Sequence, residues 1–129
     1  MKGKGFRAVV FTILALGLFT AAKAASYAPD ITGSYNCAGT NPGQANTQGY
    51  QGTTTISKDG NTFLLGWTIG GTSYTGVGIR NGNILSVAWY TAGQTGVVAY
   101  QISPDGRTLK GTWTGVGGNG NLGYETLSR

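Results

Sequence analysis

The segment ISPDGRTLKGTWT, residues 102–114, has a close counterpart earlier in the chain, and this repetition predicts the fold. ISKDGNTFLLGWT occupies residues 56–68, and a looser copy, IRNGNILSVAWYT, begins at residue 79. Each copy carries Asp-Gly or Asn-Gly shortly after its first residue, and these dipeptides favour the tight turns of β-hairpins. Each copy therefore predicts one hairpin: an incoming strand, a turn and an outgoing strand. The incoming strands are predicted at residues 50–56, 73–79 and 95–102.

A tryptophan follows the turn glycine at the same distance in all three copies. The pairs are Gly60 and Trp67, Gly82 and Trp89, and Gly106 and Trp113. Side chains alternate between the two faces of a strand, so every second position shares a face with the tryptophan. In the first copy these positions hold Phe63 and Leu65. The tryptophan face is therefore predicted to be the core face.

Two further strands are predicted at the ends of the mature chain, which completes a set of eight. ITGSY, residues 31–35, aligns with LKGTW, residues 109–113, and this alignment places Tyr35 where the other copies carry tryptophan. LGYETLSR, residues 122–129, has the pattern of an incoming strand. Pairing the last strand with the first would give an all-β, eight-stranded, antiparallel up-and-down barrel without exposed edges. An open or split sheet is the alternative.

One end of this barrel is predicted to carry tight turns and the termini, and the other end, called here the looped end, to carry longer connections. These connections are residues 38–49, 70–72, 92–94 and 115–121. The looped end is where we expect function. The candidate ligand-binding residues there are a ring of four aromatic residues with polar neighbours: Tyr35, Trp67, Trp89 and Trp113, with Asn36, Asn41, Gln94 and Asn119.

Two interpretations of the aromatic ring are open. The rings can fill one end of a small barrel as ordinary core, or they can line a pocket for a ring-shaped or apolar ligand. No charged residue falls among the predicted inward positions. A small ligand is therefore expected to be neutral.

The amino-terminal segment has the pattern of a secretory signal. MKGKGFR is followed by the apolar run AVVFTILALGLFTAA and by small residues that suit cleavage after Ala24. The run is shorter than the roughly 20 residues that a membrane-spanning helix needs, so a membrane anchor is the disfavoured alternative. Residues 1–24 are thus a predicted signal peptide, and residues 25–129 a single barrel domain that is exported to the periplasm or beyond.

The net charge of +5 lies mostly in this leader. The mature chain is nearly neutral, since five basic residues face four acidic ones: Lys58, Arg80, Arg107, Lys110 and Arg129 against Asp30, Asp59, Asp105 and Glu125. No run of lysine or arginine remains to contact a phosphate backbone, so nucleic-acid binding is not predicted.

The sequence contains few residues that could act in catalysis. The chain has no histidine, and its one cysteine, Cys37, is predicted to be buried rather than to join two chains. Asp30 and Glu125 are the only carboxylates that the topology could bring together, and a surface pair is the expected result. No catalytic residue, metal site or cofactor is predicted, which favours a binding module over an enzyme.

The order of motifs resembles a known family. The run GTNPGQANTQGYQGTTTI (residues 39–56), followed by GWTIGG, YTGVGI, GVVAYQISPDGRTLKGTWT and GYETL, is similar to small exported bacterial proteins often labelled fibronectin-binding. This resemblance implies adhesion to a host protein such as fibronectin, here through the looped end. ITGSY also resembles the opening strand of avidin-like barrels, which implies an alternative function as an avidin- or lipocalin-like carrier of a small ligand. A secreted hydrolase inhibitor is a third possibility.

Overall fold

Eight antiparallel strands close into a barrel in which each strand pairs with its sequence neighbours and β8 pairs with β1. The structure is a computed structural model that describes residues 28–44 and 49–129. The strands are β1 (Gly33–Thr40), β2 (Gly49–Asp59), β3 (Thr62–Ile69), β4 (Thr72–Asn81), β5 (Ile84–Thr91), β6 (Gln94–Ile102), β7 (Thr108–Gly115) and β8 (Gly123–Ser128). The prediction of an eight-stranded up-and-down barrel is confirmed. The predicted signal peptide, residues 1–24, lies outside the described residues.

The inward face of β3, β5 and β7 is the one that the repeat predicts. On β3, Phe63, Leu65 and Trp67 are buried, whereas Leu64 between them is exposed. The same alternation on β5 buries Leu85 and Val87. Burying an aliphatic side chain of this size contributes about 1.5–3 kcal/mol. The buried residues of the strands form one continuous core. Within the two described ranges, no helix is long and apolar enough to cross a membrane.

Two-residue turns join most neighbouring strands. Gly60 and Gly82 have φ of 58° and 62°, a left-handed conformation that glycine adopts without steric cost. The turns after β3 and β5, at residues 70–71 and 92–93, are equally short, so the prediction of longer connections there is wrong. The longer connections at the looped end are residues 41–48 and 116–122.

The segment before β1 seals the opposite end of the barrel, called here the turn end. Ile31 is fully buried, and the Tyr35 hydroxyl donates to the Ile31 carbonyl at 2.8 Å and to the Gly106 carbonyl at 3.3 Å. Arg80 donates to the Pro29 carbonyl at 2.7 Å, and the Arg129 guanidinium lies 4.8 Å from the centre of the Tyr35 ring. The prediction that Tyr35 belongs to the aromatic ring of the looped end is therefore wrong.

Cys37 lies inside the barrel, as predicted. Its side chain is buried on β1, and burial together with the nearby Glu125 carboxylate raises the pKa of the thiol far above its ordinary value. The thiolate is the reactive form of cysteine, so this thiol stays inert.

Two aspartates at the turn end make folding stability sensitive to acid. The Thr32 backbone N–H holds the pKa of Asp30 below its ordinary value of 3.8, and the Ser103 hydroxyl does the same for Asp105. A lowered pKa in the folded state adds stability above the unfolded pKa, and this stability is lost as the pH falls through the folded pKa.

Urea denaturation at a series of pH values tests this effect. As the pH is lowered below 3.8, we expect the urea midpoint of the wild type to decrease more steeply than that of the Asp30→Asn/Asp105→Asn double variant. Parallel pH profiles would contradict this.

Candidate functional site

A pocket opens into the barrel at the looped end. Its volume is about 470 Å³, within the range of small-molecule sites. Aromatic and aliphatic side chains form its walls, and Glu125 reaches it from β8. The wall residues are Tyr50, Trp67, Ile69, Tyr74, Trp89, Val98 and Trp113, and the rim includes Asn41, Pro42, Gln94, Thr95 and residues 115–118.

Glycines on neighbouring strands make room for the large rings. A Cβ on Gly123 would lie 2.6 Å from the Trp113 indole nitrogen, and one on Gly96 would lie 2.6 Å from the Trp89 ring. A Cβ on Gly39 would likewise collide with the Tyr50 ring. Real Cβ atoms do not approach other atoms so closely, so each ring occupies space that a side chain on the neighbouring strand would otherwise take. Gly39 and Gly123 in particular let Tyr50 and Trp113 meet across β1 and β8.

Four rings form a continuous edge-to-face series along the pocket. The ring centres of Tyr74 and Trp89 are 6.0 Å apart, those of Trp89 and Trp113 are 5.7 Å apart, and those of Trp113 and Tyr50 are 6.3 Å apart, with interplanar angles of 71–79°. Edge-to-face pairs of this kind contribute about 0.5–1.5 kcal/mol beyond the area they bury. The series holds the wall in place without filling the space that it surrounds.

Glu125 is a carboxylate inside the barrel. Its exposed fraction is 7%, and it accepts three hydrogen bonds from side chains. Tyr50 donates to Oε1 at 2.9 Å, Trp67 Nε1 donates to Oε2 at 3.1 Å, and Tyr100 also donates to Oε2. The prediction that no charged side chain faces the interior is therefore wrong.

The two tyrosines that contact Glu125 stay protonated. Burial, and then the Glu125 charge, raise the pKa of Tyr50 and of Tyr100 well above the ordinary value for tyrosine. Each hydroxyl is thus a donor at any ordinary pH, and each carboxylate oxygen an acceptor. This arrangement fixes the position of Glu125 from β2, β3 and β6.

No lysine or arginine of the described chain lines the pocket. Lys110 is exposed on the outer face of β7, and Arg80 and Arg129 make their hydrogen bonds at the turn end. Residues 45–48, which the structure does not describe, contain no charged side chain. Glu125 therefore has neutral donors around it, and among the described residues it has no cationic partner.

The structure brings together five of the eight residues that the sequence suggested. Trp67, Trp89, Trp113, Asn41 and Gln94 line the pocket. The other three lie elsewhere: Tyr35 at the turn end, Asn36 on the outer face of β1, and Asn119 in an exposed turn with φ of 55°. Asn36 is outward because it is adjacent to the inward Tyr35 and Cys37.

Three important residues of the site were missed in the sequence. Tyr74 pairs directly with Trp67 across β3 and β4, so it shares the inward face, and Tyr50 reaches the pocket from the start of β2. Glu125 stands two positions before the buried Leu127, and strand alternation from Leu127 would have placed it inside. The predicted approach of Asp30 to Glu125 does not occur, because Asp30 accepts its hydrogen bonds from Thr32 at the turn end.

Comparison with models of protein families and with curated proteins finds no match. In the described part of the chain, no three histidine, cysteine, aspartate or glutamate residues lie close enough to hold a metal ion. The interpretation of the pocket therefore depends on its geometry.

Proposed function

We propose that this chain is an exported, non-enzymatic barrel that binds a small ring-bearing molecule in the pocket at its looped end. The observation that carries the proposal is the open space of about 470 Å³ between side chains that could have packed against one another. Concave sites with mainly aromatic walls and a few fixed polar groups are typical of small-molecule binding. This favours the carrier function over a barrel plugged by its own aromatic residues.

The polar groups of the pocket would orient such a ligand. Glu125 offers acceptor oxygens at the inner side. Asn41 and Gln94 add amide groups at the rim.

Replacing Trp89 by alanine tests this proposal. We expect Trp89→Ala to weaken binding of a ring-bearing ligand about tenfold or more, because the variant loses one ring of the edge-to-face series. The adjacent Tyr90 is the matched control, since it lies on the same strand but points outward with 56% of its side chain exposed. Tyr90→Ala should leave the affinity unchanged.

The measurement begins with native mass spectrometry of the protein produced through a bacterial periplasm. An added mass that is lost on denaturation identifies the ligand, and titration of that ligand against tryptophan emission gives the affinities of the two variants. Equal affinities for Trp89→Ala and Tyr90→Ala would contradict binding in the pocket.

A clean protein mass, without any ring-bearing ligand that changes the emission, would favour the second candidate function. This is recognition of a host protein such as fibronectin through the looped end. The observation in its favour is Val116, an apolar side chain that is 85% exposed in the connection between β7 and β8. A secreted hydrolase inhibitor would use the same connections.

A further inference from the structure

We propose that the ligand of this pocket is an organic cation: a ring-bearing molecule with an ammonium or amidinium group that donates an N–H hydrogen bond to Glu125. The inference rests on the proposed function and adds the charge of the ligand. It replaces the neutral ligand that the sequence suggested. Two independent features of the site support it, the carboxylate and the arrangement of the rings.

Glu125 has an unused acceptor position and a charge that none of its hydrogen-bond donors balances. Two carboxylate oxygens offer about four acceptor positions, and three are taken by Tyr50, Trp67 and Tyr100. The oxygen with a single donor is Oε1. These donors are neutral, so they do not cancel the charge of the carboxylate.

Ordinary packing does not explain a glutamate at this position. Burying a charge without a countercharge is costly, and the three neutral donors satisfy the oxygens of Glu125 without balancing its charge. The chain has arginine side chains, but Arg80 and Arg129 donate their hydrogen bonds to backbone carbonyls at the turn end and do not balance the charge of Glu125. A cation that enters the pocket with the ligand would supply the missing positive charge.

The aromatic walls suit the same chemistry. The faces of tryptophan and tyrosine rings carry negative electrostatic potential and attract ammonium and guanidinium-like groups. Trp67, Trp89 and Trp113 all line the pocket together with Tyr50 and Tyr74. An anion would instead meet the Glu125 charge, and no lysine or arginine among the described lining residues would balance it.

Three probes of nearly the same shape test the charge of the ligand. Benzamidinium is a cation with N–H donors, benzamide is neutral, and benzoate is an anion. Calorimetric titration of the wild-type protein at neutral pH should give benzamidinium about tenfold or greater preference over benzamide, since hydrogen bonds to charged groups are the stronger ones. Benzoate should bind most weakly.

Glu125→Gln supplies the matched variant, because it keeps the shape of the side chain and removes its charge. We expect the preference for benzamidinium over benzamide to shrink to about threefold or less, leaving only the attraction of the rings for the cation. The wild-type series remains decisive if this variant does not fold.

The outcomes separate the two proposals. If benzamide or benzoate binds the wild type as well as benzamidinium does, the pocket binds small molecules but the inference about charge is wrong. If benzamidinium keeps its full preference in a folded Glu125→Gln protein, Glu125 is not the group that selects the cation. If none of the three probes binds, the inference about charge fails, and the native mass spectrum decides the proposed function separately: a clean protein mass means that it fails as well.

Discussion

Replacing Tyr100 by alanine is expected to lower the free energy of unfolding by about 3–5 kcal/mol, the usual cost of deleting a buried aromatic ring. Tyr100 is fully buried on β6, where its ring lies over Gly111 of β7: a Cβ on that glycine would be 2.7 Å from the ring. The substitution leaves a cavity and also removes one donor from Glu125. A domain of this size has only about 5–15 kcal/mol in total, so urea denaturation should show a much lower midpoint with an unchanged slope.

Tyr100→Phe separates the two contributions. It keeps the ring and removes the hydroxyl, so we expect a loss of about 1–3 kcal/mol from the hydrogen bond to the carboxylate. Tyr124→Ala is the control, because this tyrosine lies on the outer face of β8 with 58% of its side chain exposed, and its loss should stay within about 1 kcal/mol. A phenylalanine variant as stable as the wild type would show that the hydrogen bond to Glu125 adds nothing to stability.

The barrel could be predicted from the sequence because its information is local and repeated. Hairpin turns depend on neighbouring residues such as Asp59 and Gly60, and inward positions depend on alternation within one strand. Both signals recur in three copies, and they agree with each other. The structure confirms the resulting strand order and the inward tryptophan face of β3.

The position of Tyr35 could not be predicted by aligning residue types, because closing a barrel staggers its strands. Glu125 pairs with Gly111 on one side and with Gly39 on the other. Gly39 is therefore the β1 residue that lies level with Gly111, and Tyr35 lies nearer the turn end. The space that Tyr35 was expected to fill is occupied by Tyr50 from β2, over Gly39.

The pocket was only partly predictable for a related reason. Three tryptophans in one register indicated where large rings collect, but whether they fill the interior depends on how each ring lies across its neighbouring strands. Here Gly96 and Gly123 let Trp89 and Trp113 lie close to the barrel wall, which leaves the centre open. Glycine in a strand reads in sequence as a weak strand former, and its role becomes visible only when the partner strand is known.

Gly96→Ala tests this role of glycine directly, and we expect it to cost about 3 kcal/mol of unfolding free energy. A Cβ at this position would collide with the backbone carbonyl of Thr114 on β7 and would lie 2.6–2.7 Å from two atoms of the Trp89 indole. Neither neighbour can yield easily, since one is backbone and the other is held between Tyr74 and Trp113. Relief requires β6 and β7 to separate or Trp89 to move into the pocket.

Gly66→Ala is the matched control, because it also places an alanine inside a strand. A Cβ there meets only the Thr55 hydroxyl, at 3.3 Å, and neither Gly66 nor Gly96 has a positive φ. Alanine should therefore leave stability unchanged or raise it by up to about 1 kcal/mol, since it restricts the unfolded chain. If urea denaturation gave Gly96→Ala the same mild effect as Gly66→Ala, the glycines could not be what holds the rings against the wall. If Gly96→Ala is costly and also weakens ligand binding, stability and pocket shape depend on the same contact between Trp89 and β6.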